Sequence, residues 1–354
     1  MSRFRFVTGS YTGEDLFPGS KGEGIQLWEL DSVAGSLARL STFSGISNPS
    51  WVTVDHSGQY LAAASEHGGG ASTVALLRVT AGGSLDLLDA VPSGDATCHV
   101  AFSPDGRYLA SAAYGSGSVQ LVRIEAARFA GHAQRYAYEG NGPRADRQEA
   151  PHAHQVIFSP DGRLLYVTDL GTDRIWCHAI GEGSLGEPVF ALTLPAGEGP
   201  RHMTVDRDRS LAFVIAELTG RVHVLSVDRE SGVLACLDSI SSLPQEWGNA
   251  PSSAAIRRRP DRPYVYVSNR TGGLLSGFRL DEEKRRLNLI GIWKLSDPSP
   301  RDFNISPDGR WLLVAGQHTH RLYGHPVDTA TGSVGPVRFE AECRSAVCID
   351  WLST

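Results

Sequence analysis

The residues best equipped for chemistry in this chain come in short clusters. Cys98-His99, Pro151-His152-Ala153-His154, Gly199-Pro200-Arg201-His202 and Pro300-Arg301-Asp302 each open an alternating run. Glu66, Tyr114, Asp169, Glu217, Asn269-Arg270 and Gln317-His318 each close or follow an apolar one. Imidazoles and carboxylates at such points can move protons. Guanidiniums fit carboxylate or phosphate through forked hydrogen bonds. Arg201, Arg270 and Arg301 exceed the cations that closing a polar cavity requires, so the set points to an anionic ligand. His152 and His154 share one side of a strand, a spacing open to a metal with Asp169. A convincing third ligand is missing and the arginines oppose a cation, so neither a metal nor a cofactor is expected.

The elements that must position these residues show themselves through a repeat. Ser103-Pro104-Asp105-Gly106-Arg107, Ser159-Pro160-Asp161-Gly162-Arg163 and Ser306-Pro307-Asp308-Gly309-Arg310 are copies of one motif. Degenerate copies begin at Asp55, Asp206 and Arg259, with successive copies about 47 to 56 residues apart, the spacing of propeller blades. Pro-Asp-Gly is tight-turn sequence: Pro presets φ and Gly accepts the left-handed position. An alternating run precedes each turn and an apolar run follows it, which predicts antiparallel strands. Six turns plus an N-terminal unit make seven units of about 50 residues. The N-terminal unit lacks a first strand, and Ser345 to Trp351 is a strand without a unit. The expected fold is therefore all-β: a seven-bladed β-propeller closed by pairing of its N- and C-terminal strands, one domain over residues 1–354. The strand before each turn should be innermost, so the clusters above should share one channel mouth, with the turns on the opposite face. The polar stretch from about Gly131 to Ala150 is expected to be an extended inter-blade loop.

Composition narrows the function classes. Of 354 residues 41% are hydrophobic, and 7 Trp, 10 Tyr and 12 Phe exclude a disordered chain. No apolar run is long enough for a membrane helix, and the start, Met-Ser-Arg-Phe-Arg, lacks an export signal. The net charge of −6 argues against nucleic acid as a partner. The 5 Cys fit no disulfide ladder, so a cytoplasmic location is expected. No Gly-x-Ser-x-Gly elbow or phosphate-binding glycine loop is present. A ring closed by its own ends needs no second chain, so a monomer is the default.

Several of these clusters together resemble the propeller-type lactonases, which include bacterial 6-phosphogluconolactonases and fungal carboxymuconate-lactonizing enzymes. Pro151-His152-Ala153-His154, Gly199-Pro200-Arg201-His202-Met203, Glu217-Leu218, Ser268-Asn269-Arg270 and Pro300-Arg301-Asp302-Phe303-Asn304 carry the likeness, which runs essentially the whole chain. Ala216 departs from it, standing where the bacterial enzymes often have Asn. The resemblance implies chemistry on a small anionic lactone, with His154 (or His152), Glu217, Arg201 and Arg270 as its catalytic positions. The expected reaction is hydrolysis of a phosphorylated sugar lactone. Glu217 or His154 would be general base, Arg201 and His202 would stabilise the oxyanion, and Arg270 and Arg301 would hold the anionic group. His152, Asp169, Gln317 and His99 complete the expected substrate-binding set. Carboxymuconate cycloisomerisation and a non-catalytic propeller that binds a small anion or a protein are the alternatives.

Overall fold

The computed structural model describes residues 2–14, 16–181, 183–206, 210–259 and 261–352. Seven antiparallel sheets follow one another around a ring. Blade 1 joins Ala346–Trp351 to Arg3–Ser10, Ile25–Asp31 and Ser36–Phe43. Blades 2, 3 and 4 begin at the inner strands Pro49–Val54, Thr97–Phe102 and Ala153–Phe158; blades 5, 6 and 7 begin at Pro200–Asp206, Ser253–Arg258 and Pro300–Ile305. The ring closes as expected: Phe6 lies opposite Trp351, Val7 opposite Asp350 and Thr8 opposite Ile349. This pairing leaves no open edge between the chain ends. The Phe6 and Trp351 rings add a contact at 5.1 Å across the seam.

The turn motif closes on its own atoms. In blade 4 the Ser159 hydroxyl donates to Asp161 at 2.6 Å and accepts from the Leu164 N–H at 3.0 Å. The same bonds recur from Ser103 to Asp105 and Tyr108, and from Ser306 to Asp308 and Trp311. Gly106, Gly162 and Gly309 have φ of 70°, 74° and 68°, which a residue with a Cβ adopts only with strain. Arg207–Arg209 and Pro260, within the degenerate copies, lie outside the described residues.

After each turn the second strand is covered by neighbouring blades on both faces. Leu164–Asp169, Leu211–Ala216 and Tyr264–Asn269 are buried throughout, which is why they read as unbroken apolar runs. The outer strands show water on one or both sides and read as polar. That explains one departure from expectation: part of the supposed loop, Arg128–Ala137, is the ten-residue outer strand of blade 3. Only the segment 138–152 connects the blades. Among the described residues no helix is long and apolar enough to cross a membrane.

Candidate active site

The mouth of the ring is shaped by a defect repeated from blade to blade. Where each inner strand starts, its register against the second strand slips. Pro49 pairs with Ser65 but Trp51 with Ala64; the same occurs between Thr97 and His99, Ala153 and Gln155, Pro200 and His202, and Pro300 and Asp302. The residue left over in each bulge is Ser50, Cys98, His154, Arg201 or Arg301. In blade 1 the slip falls at Val347. A bulge re-aims a side chain that strict alternation would point elsewhere. Blade 6 slips between Ser253 and Ile256, away from this space; the six bulged residues of the other blades line one cavity on the channel floor, with Tyr11, Trp51, Glu66 and His202. Above it opens a funnel of about 210 Å³ bordered by Phe17, Glu66, Cys98, Tyr114, Arg147, His154, Glu217, Arg270 and Arg301.

Glu217 sits at the electrostatic centre. It follows the strand Leu211–Ala216, and its backbone N–H donates to Gly199 O at 2.8 Å. Its oxygens lie 2.6 Å from Arg147, 2.9 Å from Arg201 and 2.8 Å from Arg270. Burial alone would raise its pKa, but Arg270, Arg201 and Arg147 outweigh it and bring it to about 2. Glu217 is thus a permanent anion and a weak base. Burial, reinforced by Arg270, brings Arg201 down to about 9, so it stays charged at neutral pH. Arg201 also donates to Ala254 O at 2.7 Å and meets His202 Nε2 at 3.3 Å, where the imidazole nitrogen accepts.

Arg147 is a member of this cluster that the sequence did not suggest. It rides on a compact turn in which the Gln148 N–H donates to Arg144 O at 2.6 Å. Buried Gln148 fastens that turn to blade 4 by donating to Leu170 O and Asp173 Oδ1. Arg147 then reaches Glu217 from 70 residues away. No local pattern announces such a contact; the only signal is a polar insertion between blades.

His154 stands on the funnel wall, and its Nδ1 is fully buried with no hydrogen-bond partner among the described residues. Burial, and after it Arg201, Arg301 and Arg270, hold its pKa well below the usual imidazole value. It is neutral at neutral pH. His202 and His99 are depressed in the same way, burial first, then Arg201 for His202 and Arg257 for His99. Arg301 has no carboxylate within ion-pairing distance among the described residues. Instead its guanidinium lies over the rings of Tyr11 and Phe17, 5.5 and 5.1 Å from their centres. Glu66 faces the same space and accepts from the Tyr11 hydroxyl at 2.9 Å.

The ring therefore brings together His154, His202, Glu217, Arg201, Arg270 and Arg301, and leaves four expected residues outside the funnel. Asp169 is spent on structure, accepting from His152 N, Gly171 N, Thr172 Oγ1 and Trp176 Nε1. His152 stacks flat on Tyr114 at 4.2 Å, and its Nδ1 meets Tyr114 O at 2.9 Å, so it props the rim. His99 stacks on Trp51 below His202 and borders a second chamber at the other end of the channel, with Arg257 and Asp350. Gln317 lines neither the funnel nor its floor. Among the described residues, no three His, Cys, Asp or Glu side chains are grouped to hold a metal. Cys98 is buried on the funnel wall, and burial first and then Glu66 push its thiol up to about 12.

Known proteins agree with this architecture. A family model described as "Lactonase, 7-bladed beta-propeller" matches residues 5–351. An uncharacterised protein of Lactococcus lactis subsp. cremoris is 31% identical over 314 residues, 88% of this chain and 90% of its own. A Bacillus subtilis protein named 6-phosphogluconolactonase is 25% identical over 356 residues, 99% of each chain. Among solved structures, the periplasmic gluconolactonase PpgL of Pseudomonas aeruginosa superposes with a TM-score of 0.89 at 27% identity, covering 99% of both chains.

Proposed function

This chain belongs to the lactonase family of seven-bladed β-propellers, and from that premise we propose that its funnel hydrolyses a phosphorylated sugar lactone of the 6-phosphogluconolactone type. The observation that carries the reading is the charge count. Four guanidiniums (Arg147, Arg201, Arg270 and Arg301) face two carboxylates, Glu66 and Glu217. Arg301 in particular offers a fork that no carboxylate among the described residues fills, and a phosphate would fill it.

In the proposed reaction His154 is the base, because three guanidiniums occupy the Glu217 oxygens whereas the neutral His154 ring stands on the funnel wall with a lone pair to offer. The arriving anion offsets the guanidinium field that weakens His154, so the imidazole gains basicity when substrate is present. His154 takes a proton from water as the oxygen adds to the lactone carbonyl carbon. Arg201, held in place by Glu217 and Ala254 O, stabilises the resulting oxyanion. Collapse breaks the ring C–O bond, and the proton returns from His154 to the departing alkoxide. Glu217 orients three guanidiniums and keeps them from repelling one another. The same proposal takes the chain as a cytoplasmic monomer with a small-molecule partner; five unpaired thiols support a reducing compartment.

Acid release from freshly made 6-phosphogluconolactone is the test. His154→Gln should lower kcat by about 10²-fold or more, the usual share of a general base. Arg301→Gln should raise KM far more than it lowers kcat. If neither variant departs from the parent rate, the assignment fails. Activity on a carboxymuconate in place of the lactone would move the funnel to ring closure, and silence on both would make it a binding site.

A further inference from the structure

Away from the funnel, blade 5 holds a nucleophile, an imidazole and a carboxylate in line. Cys236 lies on the outer strand Leu234–Ser241 opposite Leu225, two positions along from His223, so both side chains share one face of the sheet. Cys236 Sγ is 3.8 Å from His223 Nδ1, and His223 Nε2 is 2.5 Å from Glu198 Oε2. The other Glu198 oxygen faces Arg221 at 3.9 Å. Cys236 is exposed, whereas Cys98, Cys177, Cys343 and Cys348 are buried. His223 and Glu198 are buried beneath it.

The hydrogen bond to Glu198 sets what His223 can do. A carboxylate only accepts, so Nε2 must carry a proton there. In neutral His223 the lone pair is then on Nδ1, facing the thiol. In charged His223 both nitrogens donate, and Nδ1–H would stabilise a thiolate. Either form assists ionisation of Cys236. Assistance is needed, since partial burial raises the thiol pKa and Sγ otherwise points its hydrogen toward Asp238 O at 3.5 Å. Nucleophile, base and orienting group in this order are the arrangement of an activated thiol. Among the described residues the hydrogen-bond partners of Sγ are His223 Nδ1 and Asp238 O, neither of them an oxyanion-holding pair of donors, so acyl transfer has no support here.

We infer that Cys236 is a modification site for low-molecular-weight disulfides, with His223 as base and Glu198 as its positioning residue. The thiol proton passes to His223 Nδ1, and Sγ attacks one sulfur of the incoming disulfide. A new S–S bond to Cys236 forms as the old one breaks, and the departing thiolate takes the proton from His223. The inference is independent of the funnel chemistry, and its readout needs no lactone.

The probe is dithiobis-nitrobenzoate, followed by release of its coloured thiolate from the native full-length chain. One thiol should react rapidly, and Cys236→Ser should abolish that phase. His223→Asn should slow it about tenfold near neutral pH, where an unassisted thiol is only a few per cent ionised. The phase in the unaltered chain should level off below pH of about 8, whereas an unassisted thiol keeps accelerating toward its own pKa of about 8.5. An unchanged rate in a His223→Asn chain with the parent's melting temperature would overturn the inference. Should that variant fold poorly, a profile that climbs like a free thiol's in the parent chain would overturn it equally.

Discussion

Every inner strand of this ring has two ends, and they are built on opposite principles. At the turn end a carboxylate such as Asp161 is satisfied by neighbours within five residues: Ser159 Oγ, Arg163 N and Arg163 Nε. At the mouth end Glu217 is satisfied by arginines from three separate places in the chain, the farthest 70 residues away. Both carboxylates are drawn down to about 2. Around exposed Asp161 burial is the largest single influence and acts upward, but Ser159 and Arg163 together outweigh it from two residues away. Around fully buried Glu217, guanidiniums must offset the burial. One end is local and self-sufficient; the other exists only once the ring has closed.

The contrast can be broken most sharply at Glu217. In Glu217→Gln, Arg147, Arg201 and Arg270 lose their shared counter-charge, and a buried pair broken from one side costs about 3–5 kcal/mol. Denaturant titration should show that loss; an unchanged midpoint would mean the mouth is as self-contained as the turns. A pH titration of stability sharpens the comparison further. His99, His154 and His202 are held neutral in the folded ring by burial and nearby arginines. As pH falls below the ordinary imidazole value of about 6.5, the unfolded chain binds protons that the folded ring refuses. Stability contributed by these groups is therefore full above that value and is lost on acidification, by about 1.4 kcal/mol per pH unit for each. His99→Gln should flatten the slope by one such share, and an unaltered slope would remove His99 from the account. The smallest effect belongs to the turn face. Asp161→Ala should cost about 1 kcal/mol through lost side-chain hydrogen bonds and leave funnel activity as it was, measured by melting temperature and rate together.

The turn end was readable from the sequence because its bonds are short-range. Ser-Pro-Asp-Gly repeats at blade spacing carry their own hydrogen-bond partners, and the left-handed glycine is part of the motif. From those turns the blade count, the closure by the two chain ends and the face on which the reactive side chains gather all followed. The mouth was readable only as a neighbourhood. Alternation placed His152 and His154 together, yet the bulge sends His154 to the floor while His152 remains at the rim against Tyr114. Asp169 had the right type and the right strand end, but four nearby donors claim it. Arg147 was hidden in a polar insertion whose outer-strand half, Arg128–Ala137, alternates too weakly to stand out from a loop.

By itself, then, the sequence determined a seven-bladed all-β ring, the pairing of its ends and the segregation of turns from reactive residues. It could do so because strand periodicity and turn chemistry are properties of contiguous residues. Tertiary structure alone decided which of the reactive residues meet. The bulges that turn Cys98, His154, Arg201 and Arg301 inward belong to the register between strands. The charges that make Glu217 a fixed anion, and the burial and charges that keep His154 neutral, exist only once the closed ring brings these groups within a few ångströms.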